Sequence, residues 1–196
     1  MKKISGTALL NHYFYQIPPK KGIYVYLDTE TKNGLLTEIG ACKIINGQVI
    51  FFDKFYYKVP EHSEDQIIAE YNRRTEKKNF IKFLKWSKNY LIFCHNAPYD
   101  SKVLRTKFMS LGIPPISYKN FRCSMRIFKA VVGFDDPKYR GVQTKLNYCC
   151  DYFGIYTFPS LFHGPAYDAI MGATVVSKLY HKIFFKNIIT LFQNLR

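Results

Sequence analysis

The chain has 196 residues, of which 47% are apolar and 22% are charged, and this balance excludes intrinsic disorder as its main state. A chain of this length buries roughly 70% of its unfolded surface, so one folded domain needs neither disulfides nor a structural metal. The 29 Lys and Arg residues outnumber the 14 Asp and Glu residues, and the formal charge of +15 favours a polyanionic partner, nucleic acid before an anionic membrane. Because AT-rich coding also produces many lysines, asparagines and isoleucines, charge alone leaves the partner open.

Cysteine usage predicts a reducing compartment. The five cysteines are odd in number and contain no Cys-x-x-Cys pair, which disfavours both a disulfide scaffold and a zinc ribbon. The apolar stretch after Met1 is too short for a signal peptide, and no stretch reaches the 18 or so apolar residues of a membrane span. We therefore expect a soluble protein of the cytoplasm or another reducing compartment, without a membrane partner. The cysteines are Cys42, Cys94, Cys123, Cys149 and Cys150.

The first predicted elements are three antiparallel strands. Residues 23–27 form a continuous apolar run rich in β-branched and aromatic side chains, which is typical of a buried central strand, and the run leads directly into Asp28. Two more strand-like runs, at 36–45 and 48–58, are separated by Asn46-Gly47, the strongest two-residue hairpin signal. A meander of strands therefore opens the fold.

Strand and helix patterns alternate in the rest of the chain. Apolar residues at a helical period predict a helix at 75–86, and a strand at 90–94 precedes a helix that starts near Pro98 and ends before Gly112. This order predicts one α/β domain with a mixed sheet and helices on both faces. The remaining predicted elements are a strand at 118–121, helices at 124–132, 144–153 and 165–182, and a surface loop at 133–141.

Four acidic residues follow predicted strands or begin predicted helices. Asp28 and Glu30 are two residues apart at the end of a strand, so their side chains project from the same face. Asp100 and Asp168 each lie in the first turn of a helix, where a carboxylate also serves simply to complement the helix dipole. If the four acids converge, their repulsion makes the cluster stable as anions only around cations, and hard oxygen ligands select Mg²⁺ or Mn²⁺.

Phosphodiester hydrolysis is the chemistry that such a cluster predicts. Two divalent cations about 4 Å apart activate a water on one side of a phosphodiester and stabilise the leaving oxygen on the other. His163, five residues before Asp168, is a suitable base for that water because an imidazole exchanges protons near neutral pH. Each of these residues alone is more often a cap, a turn residue or a surface residue, so the prediction rests on their order and context.

Three motifs in this order resemble the DEDD superfamily of 3'-to-5' exonucleases. The resemblance covers about residues 23–182 and rests on residues 27–31 (Leu-Asp-Thr-Glu-Thr), 95–100 (His-Asn-Ala-Pro-Tyr-Asp) and 163–169 (His-Gly-Pro-Ala-Tyr-Asp-Ala). A histidine five positions before the last aspartate matches the DEDDh branch, which includes the proofreading exonuclease of bacterial replicative polymerases and RNase T. The sister branch carries a tyrosine four positions before that aspartate, where this chain has Gly164.

The resemblance implies a ribonuclease-H-like fold, with a mixed five-stranded sheet and helices on both faces. In this interpretation residues 1–22 are an N-terminal extension and residues 23–196 are the exonuclease domain. Family members commonly continue the first motif with Thr-Gly, whereas Lys32-Asn33-Gly34 intervenes here, which affects the placement of Leu35.

The resemblance also implies roles for individual residues. The implied ligands of two divalent cations, Mg²⁺ or Mn²⁺, are Asp28, Glu30, Asp100 and Asp168. These four acids and His163, the implied general base, are the implied catalytic residues. The backbone around Thr29 and Thr31 and the side chain of Leu35 are the implied contacts to the terminal nucleotide, and Asn96 is a further implied polar contact.

The predicted function is therefore metal-dependent 3'-to-5' exonuclease activity on the 3' end of single-stranded DNA or RNA. A polymerase or another replication or repair protein is a candidate partner. One alternative is a catalytically inactive nucleic-acid-binding adaptor on the same fold, although all five catalytic residues are present. The other is a ribonuclease-H-type endonuclease, which shares the fold and the carboxylates but not His163 at this spacing.

Two further features of the sequence concern possible contacts. Aromatic residues make up 17% of the chain, and Tyr99, Phe162 and Tyr167 flank the motifs as candidates for stacking on bases. Core packing is the favoured interpretation of Tyr99. The apolar and amphipathic segment at 183–192 either packs on the domain or docks on a partner.

Overall fold

The computed structural model describes residues 22–87, 90–135 and 144–194, without the side chains of 133–135 and 184–194. The strands are β1 (Ile23–Lys32), β2 (Leu35–Ile45), β3 (Gln48–Lys58), β4 (Leu91–Cys94) and β5 (Phe121–Cys123). The helices are α1 (Gln66–Ser87), α2 (Ala97–Ser110), α3 (Ser124–Asp135), α4 (Leu146–Tyr152) and α5 (Pro165–Asn194). The expected N-terminal extension lies outside the described residues apart from Gly22, so its separation from a domain at 23–196 stays a prediction.

The five strands form one mixed sheet in the order β3-β2-β1-β4-β5. β1, β2 and β3 are antiparallel neighbours, and their turns hold Asn33-Gly34 and Asn46-Gly47 at positive φ, as a tight Asn-Gly hairpin requires. β4 pairs in parallel with β1, and β5 with β4, so the carboxyl ends of these three strands lie at the same edge of the sheet. The predicted mixed five-stranded sheet is confirmed.

Each face of the sheet is covered by helices over its own apolar core. On one face, Tyr26 of β1 packs with residues of α3, α4 and α5, and on the other face Leu27 packs with residues of α1 and α2. Side chains alternate along a strand, so Asp28 and Glu30 lie on the face that α5 covers, and Thr29 lies on the opposite face. The predicted helices on both faces are confirmed.

Helix α1 begins earlier than residue 75, where the sequence pattern predicted its start. Residues 72–79 are all polar and separate Ile67, Ile68 and Tyr71 from the periodic apolar run that begins at Phe80, and these three side chains are exposed in the structure. Asp65 fixes the start instead. Its Oδ1 accepts hydrogen bonds from the backbone N–H groups of Ile67 and Ile68 at 2.8 and 3.0 Å, as an N-cap residue does.

Three other boundaries differ from the predicted ones. Residues 118–120 form a single 3₁₀ turn, so β5 occupies 121–123 instead of 118–121. Helix α5 continues past the predicted end at 182, since no glycine or proline follows Gly172 in it to stop the helix. Helix α3 takes up the first residues of the predicted loop at 133–141, and the rest of that loop lies outside the described residues.

The structure bears on two features considered from the sequence, disulfide bonds and membrane-spanning helices. All five cysteines are buried and free, so none of them forms a disulfide. Within the part of the chain that the structure describes, each helix is too short or too polar to cross a membrane.

Candidate active site

The first part of the candidate site is the carboxyl end of β1. Asp28 lies opposite Gly40 of β2, and the regular pairing of the two strands is interrupted just after Glu30. Such a β-bulge redirects the side chains around it. Both acids are half-buried and lie beneath the beginning of α5.

Helix α5 lies close to this end of the sheet because two glycines leave room for it. A Cβ on Gly40 would overlap the backbone of Pro165 and Ala166, and a Cβ on Gly172 would overlap the ring of Tyr26. Asp168, in the first turn of α5, shares a helix face with Pro165 and Gly172. The close approach therefore brings the carboxylate of Asp168 over the end of β1.

Three side chains converge at this point. The ligand atoms of Glu30, His163 and Asp168 all lie within 4.8 Å of one another. His163 is exposed, holds a left-handed φ of 70°, and donates its backbone N–H to Oδ2 of Asp168 at 3.1 Å. The other carboxylate oxygen of Asp168, Oδ1, is buried and has no hydrogen-bond partner among the described residues. A bound cation is the kind of ligand that satisfies such an oxygen.

Asp28 lies beside this group and couples electrostatically to the other three acids. Burial, followed by the negative charges of Asp100, Asp168 and Glu30, raises its pKa to about 9. Burial is also the main cause that raises the pKa values of Glu30 and Asp168. These carboxylates are dehydrated, and their ionised forms repel one another. Hard divalent cations bind and favour the ionised forms, so the group is suited to binding such cations.

Asp100 is held differently, by donors from the protein itself. Its carboxyl group is almost fully buried and accepts a hydrogen bond from Oγ1 of Thr29 at 2.8 Å. Burial raises the pKa of Asp100 to about 7, although the hydrogen bonds from Thr29 and from backbone N–H groups act in the opposite direction. Among the described residues, Asp100 and Asp28 are not part of the 4.8 Å group. The oxygens of Asp100 therefore already accept hydrogen bonds from the protein itself.

By sequence, neither a protein-family model nor a curated protein matches the chain. By structure, it is similar to the nuclease domain of 3'hExo, a DEDDh family member, bound to rAMP, with a TM-score of 0.56 and 15% identity. The alignment covers 81% of this chain and 92% of that one. The chain has the fold of a DEDDh nuclease domain.

A second solved structure to which the chain is similar is exonuclease I in complex with the inhibitor BCBP. Its TM-score is 0.56 and its identity is 13%, over 85% of this chain and 43% of that one, so this chain spans less than half of the exonuclease I chain. The predicted ribonuclease-H-like fold and the resemblance to DEDDh exonucleases are thus confirmed in the fold. At these identities the similarity concerns the fold alone.

The hydroxyl groups of Thr29 and Thr31, two residues of the first motif, form hydrogen bonds to residues of the second motif. Thr29 is buried and bonds to Asp100, as described above. The hydroxyl of Thr31 lies 2.6 Å from the phenol oxygen of Tyr99. Tyr99 is 44% exposed, so the expectation that it packs in the core was wrong, because the ring sits at the surface and is held by its hydroxyl. Both threonines join the first motif to the second.

The other two predicted nucleotide contacts remain accessible. Leu35 is 69% exposed and lines a groove of about 690 Å³ at the β1–β2 turn. Asn96 is exposed, and its backbone carbonyl accepts the N–H groups of Tyr99 and Asp100 at the start of α2. The charged side chains that line the groove beside Leu35 are Lys32, Lys58, Arg73, Lys107, Glu61 and Glu76. Lys107 pairs with Glu76 at 2.7 Å, and Lys58 pairs with Glu38 at 3.7 Å.

A buried polar chain next to the site was not predicted from the sequence. Tyr26 and Ser124 share a hydrogen bond of 2.9 Å, and Ser124 lies 3.4 Å from Nδ1 of His95. Nε2 of His95 lies 2.7 Å from the carbonyl oxygen of Thr144 and must carry the proton, because a carbonyl only accepts. Burial lowers the pKa of His95, which keeps the ring neutral in this tautomer. The signal in the sequence was His95 itself, the first residue of the second motif.

Proposed function

We propose that the chain is a metal-dependent 3'-to-5' exonuclease that acts on single-stranded DNA or RNA. One observation carries the proposal: Glu30, His163 and Asp168 converge within 4.8 Å, beside Asp28, at the end of the central strand of a DEDDh-type fold. Convergence of carboxylates and an imidazole from distant motifs is expected of a hydrolytic centre and is costly without a ligand.

The proposed ligands of two divalent cations, Mg²⁺ or Mn²⁺, are the carboxylates of Asp28, Glu30 and Asp168. When bound, such cations supply Lewis-acid stabilisation of the phosphate charge and a nucleophile at neutral pH. Asp100 would act through a water, because its oxygens already accept hydrogen bonds from Thr29 and the backbone. The unpartnered Oδ1 of Asp168 supports this assignment.

His163 is the proposed general base. Its ring is exposed at the rim of the acidic group, where water and substrate reach it, and its backbone N–H is tied to Asp168. The imidazole would accept the proton of the attacking water and pass it to solvent. Its exposure suits repeated turnover, since the proton does not have to cross the core.

Basic side chains are proposed to bind the part of the substrate strand that lies outside the catalytic group. The chain carries a formal +15, and Lys32 and Arg73 line the groove beside Leu35, where they would contact the phosphate backbone. Association with a polymerase or a repair protein is proposed only from the sequence resemblance. A location in the cytoplasm or another reducing compartment is proposed only from the cysteine usage.

A stepwise degradation assay tests the proposal. Purified protein with Mg²⁺ or Mn²⁺ should shorten a 5'-labelled oligonucleotide one nucleotide at a time, and EDTA should stop the reaction. Asp28→Ala and His163→Ala should each lose at least about 100-fold in rate, as expected for catalytic groups. Asp151→Asn, which changes an exposed acid of α4, is the matched control and should keep full activity.

Three outcomes would contradict the proposal. The first is that the wild-type protein leaves every linear oligonucleotide intact. The second is that it cuts a closed circular strand, which has no end. Salt-sensitive binding without cleavage would instead support the adaptor that the sequence left as an alternative.

A further inference from the structure

An uncharged aromatic loop leads into the proposed active site. We define this aromatic loop as residues 154–162, between α4 and α5, which contain no charged side chain. Tyr156 is 80% exposed, Phe158 is 52% exposed and Leu161 is 49% exposed. Large apolar groups concentrated on one short surface segment indicate a contact surface more strongly than scattered ones do.

The exposed rings of the aromatic loop are held in place. Tyr156 and Phe158 pack edge to face, with ring centroids 5.1 Å apart and planes at 89°. The backbone N–H of Phe158 donates to the hydroxyl of Tyr167 at 2.7 Å, and Pro159 opens the 3₁₀ turn that follows. Rings fixed in this way lose little freedom when a ligand binds them, so the arrangement is preorganised for binding.

The loop is continuous with the catalytic group. Tyr167, which anchors Phe158, directly precedes Asp168 and packs edge to face against Phe162 at 5.4 Å. The carbonyl oxygen of Leu161 accepts the N–H of Gly164 at 3.3 Å, which closes the turn that carries His163. A strand whose last phosphodiester lies at His163 therefore passes close to the exposed rings.

The chemistry of the loop favours bases over phosphates as its ligand. The loop has no cation for a phosphate, whereas the chain as a whole is strongly basic, and Lys32 and Arg73 line the groove beside Leu35. Aromatic faces stack on bases of any sequence, and only unpaired bases offer their faces, since those of a duplex are stacked on one another.

We propose that Tyr156 and Phe158 form a stacking platform for unpaired bases of the substrate strand, which makes the enzyme selective for single-stranded 3' ends. The inference rests on the proposed function, because the occupant is the strand that enters the catalytic group. It adds the specificity-determining residues, which neither the motifs nor the metal ligands supply.

Binding without turnover provides the first test. Fluorescence anisotropy of a 5'-labelled twelve-nucleotide strand in EDTA should show that Tyr156→Ala and Phe158→Ala each weaken binding about 10-fold. Tyr156→Phe and Phe158→Trp should bind as the wild type does, because they keep an aromatic face. Phe52→Ala is the matched control, since Phe52 is an 88% exposed aromatic on the edge strand β3, away from the catalytic group, and should bind normally.

A strand with abasic residues near its 3' end separates stacking from other contacts. The wild type should lose about 10-fold or more in affinity for this strand, while the Tyr156→Ala, Phe158→Ala double variant should lose nothing further. The preference of the wild type for a single strand over a blunt duplex should shrink in the double variant. If the abasic residues weaken both proteins equally, the rings do not stack on bases and the proposal is overturned.

Turnover distinguishes failure of this inference from failure of the proposed function. In Mn²⁺, the value of kcat/KM in the double variant should fall at least ten times more for the oligonucleotide than for the p-nitrophenyl ester of thymidine 5'-phosphate, which has a single base. If no substrate is hydrolysed by the wild type, the proposed function fails, and the anisotropy results still decide the stacking. If the alanine variants bind normally but change from dimer to monomer in sedimentation, the surface joins two copies and the proposal is overturned.

Discussion

At the scale of single residues, the hydrogen bond between Thr29 and Asp100 joins the first acidic motif to the second. A carboxylate as buried as that of Asp100 is costly unless donors surround it, and Oγ1 of Thr29 supplies one at 2.8 Å. This donor also opposes the rise of the Asp100 pKa that burial causes. Thr29 is therefore a positioning residue whose hydroxyl orients Asp100 and favours its ionised form.

Replacing Thr29 by valine should show this role. Thr29→Val keeps the shape but removes the donor, so we expect a loss of about 1–3 kcal/mol in the free energy of unfolding, because a buried charged acceptor loses a partner. Urea unfolding at pH 8 measures the loss. Thr29→Ser keeps the hydroxyl and should lie close to the wild type. Equal stabilities of the valine and serine variants would mean that the bond contributes nothing.

At the scale of elements, the contact between β2 and α5 determines whether the site assembles. Gly40 faces the backbone of Pro165 and Ala166, and backbone atoms cannot swing aside as the end of a side chain does. Because Asp168 follows within the first turn of α5, any shift of that turn moves the carboxylate away from Glu30. A residue with no chemistry of its own thus fixes the geometry of the site.

Gly40→Ala should therefore lower both the rate of degradation and the free energy of unfolding. We expect a loss of about 1–3 kcal/mol from overpacking, and a fall of about 100-fold in the rate of oligonucleotide degradation from a displacement near 1 Å. Gly22→Ala is the matched control, because the nearest atoms that its methyl group would meet belong to the side chain of Tyr24 and not to the backbone of α5. A Gly40→Ala protein with normal rate would show that α5 tolerates the methyl group without moving Asp168.

At the scale of the whole molecule, a chain with an excess of positive charge keeps several of its few acids together. Fourteen Asp and Glu residues are spread through the sequence, yet Asp28, Glu30, Asp100 and Asp168 come into electrostatic contact at one end of β1. Burial is the main cause that raises the pKa of each, so folding the metal-free protein carries the cost of this group. A divalent cation bound to the folded state removes that cost.

Mn²⁺ should accordingly raise the melting temperature of the wild type. At 100 times its dissociation constant a ligand of the folded state adds about 2.7 kcal/mol, which corresponds to roughly 5–10 °C for a chain of this size. In Asp28→Asn the shift should be largely lost, while in EDTA this variant should be at least as stable as the wild type, because a dehydrated carboxylate is gone. Differential scanning calorimetry measures both. A full Mn²⁺ shift in Asp28→Asn would contradict the assignment of Asp28 as a ligand, and Asp151→Asn should behave as the wild type.

Local sequence patterns were sufficient to predict strands β1 to β4, the Asn46-Gly47 hairpin and the position of each acid relative to a strand or a helix. These features depend on side chains within a few residues of one another, so alternation, helical period and turn chemistry are enough to predict them. The start of α1 was missed because the polar residues 72–79 interrupt the helical pattern of apolar residues. Only the cap at Asp65 marks the start of this helix.

Only the tertiary structure decided which groups each side chain meets. Thr29 bonds to Asp100, 71 positions away, and Tyr99 reaches Thr31, 68 positions away, and neither pair follows from the local sequence. The closeness of α5 to Gly40 and the exposure of Tyr156 likewise depend on packing between distant parts of the chain. Hydrogen bonding and burial are set by neighbours in space, and those neighbours are known only when the sheet and its helices have come together.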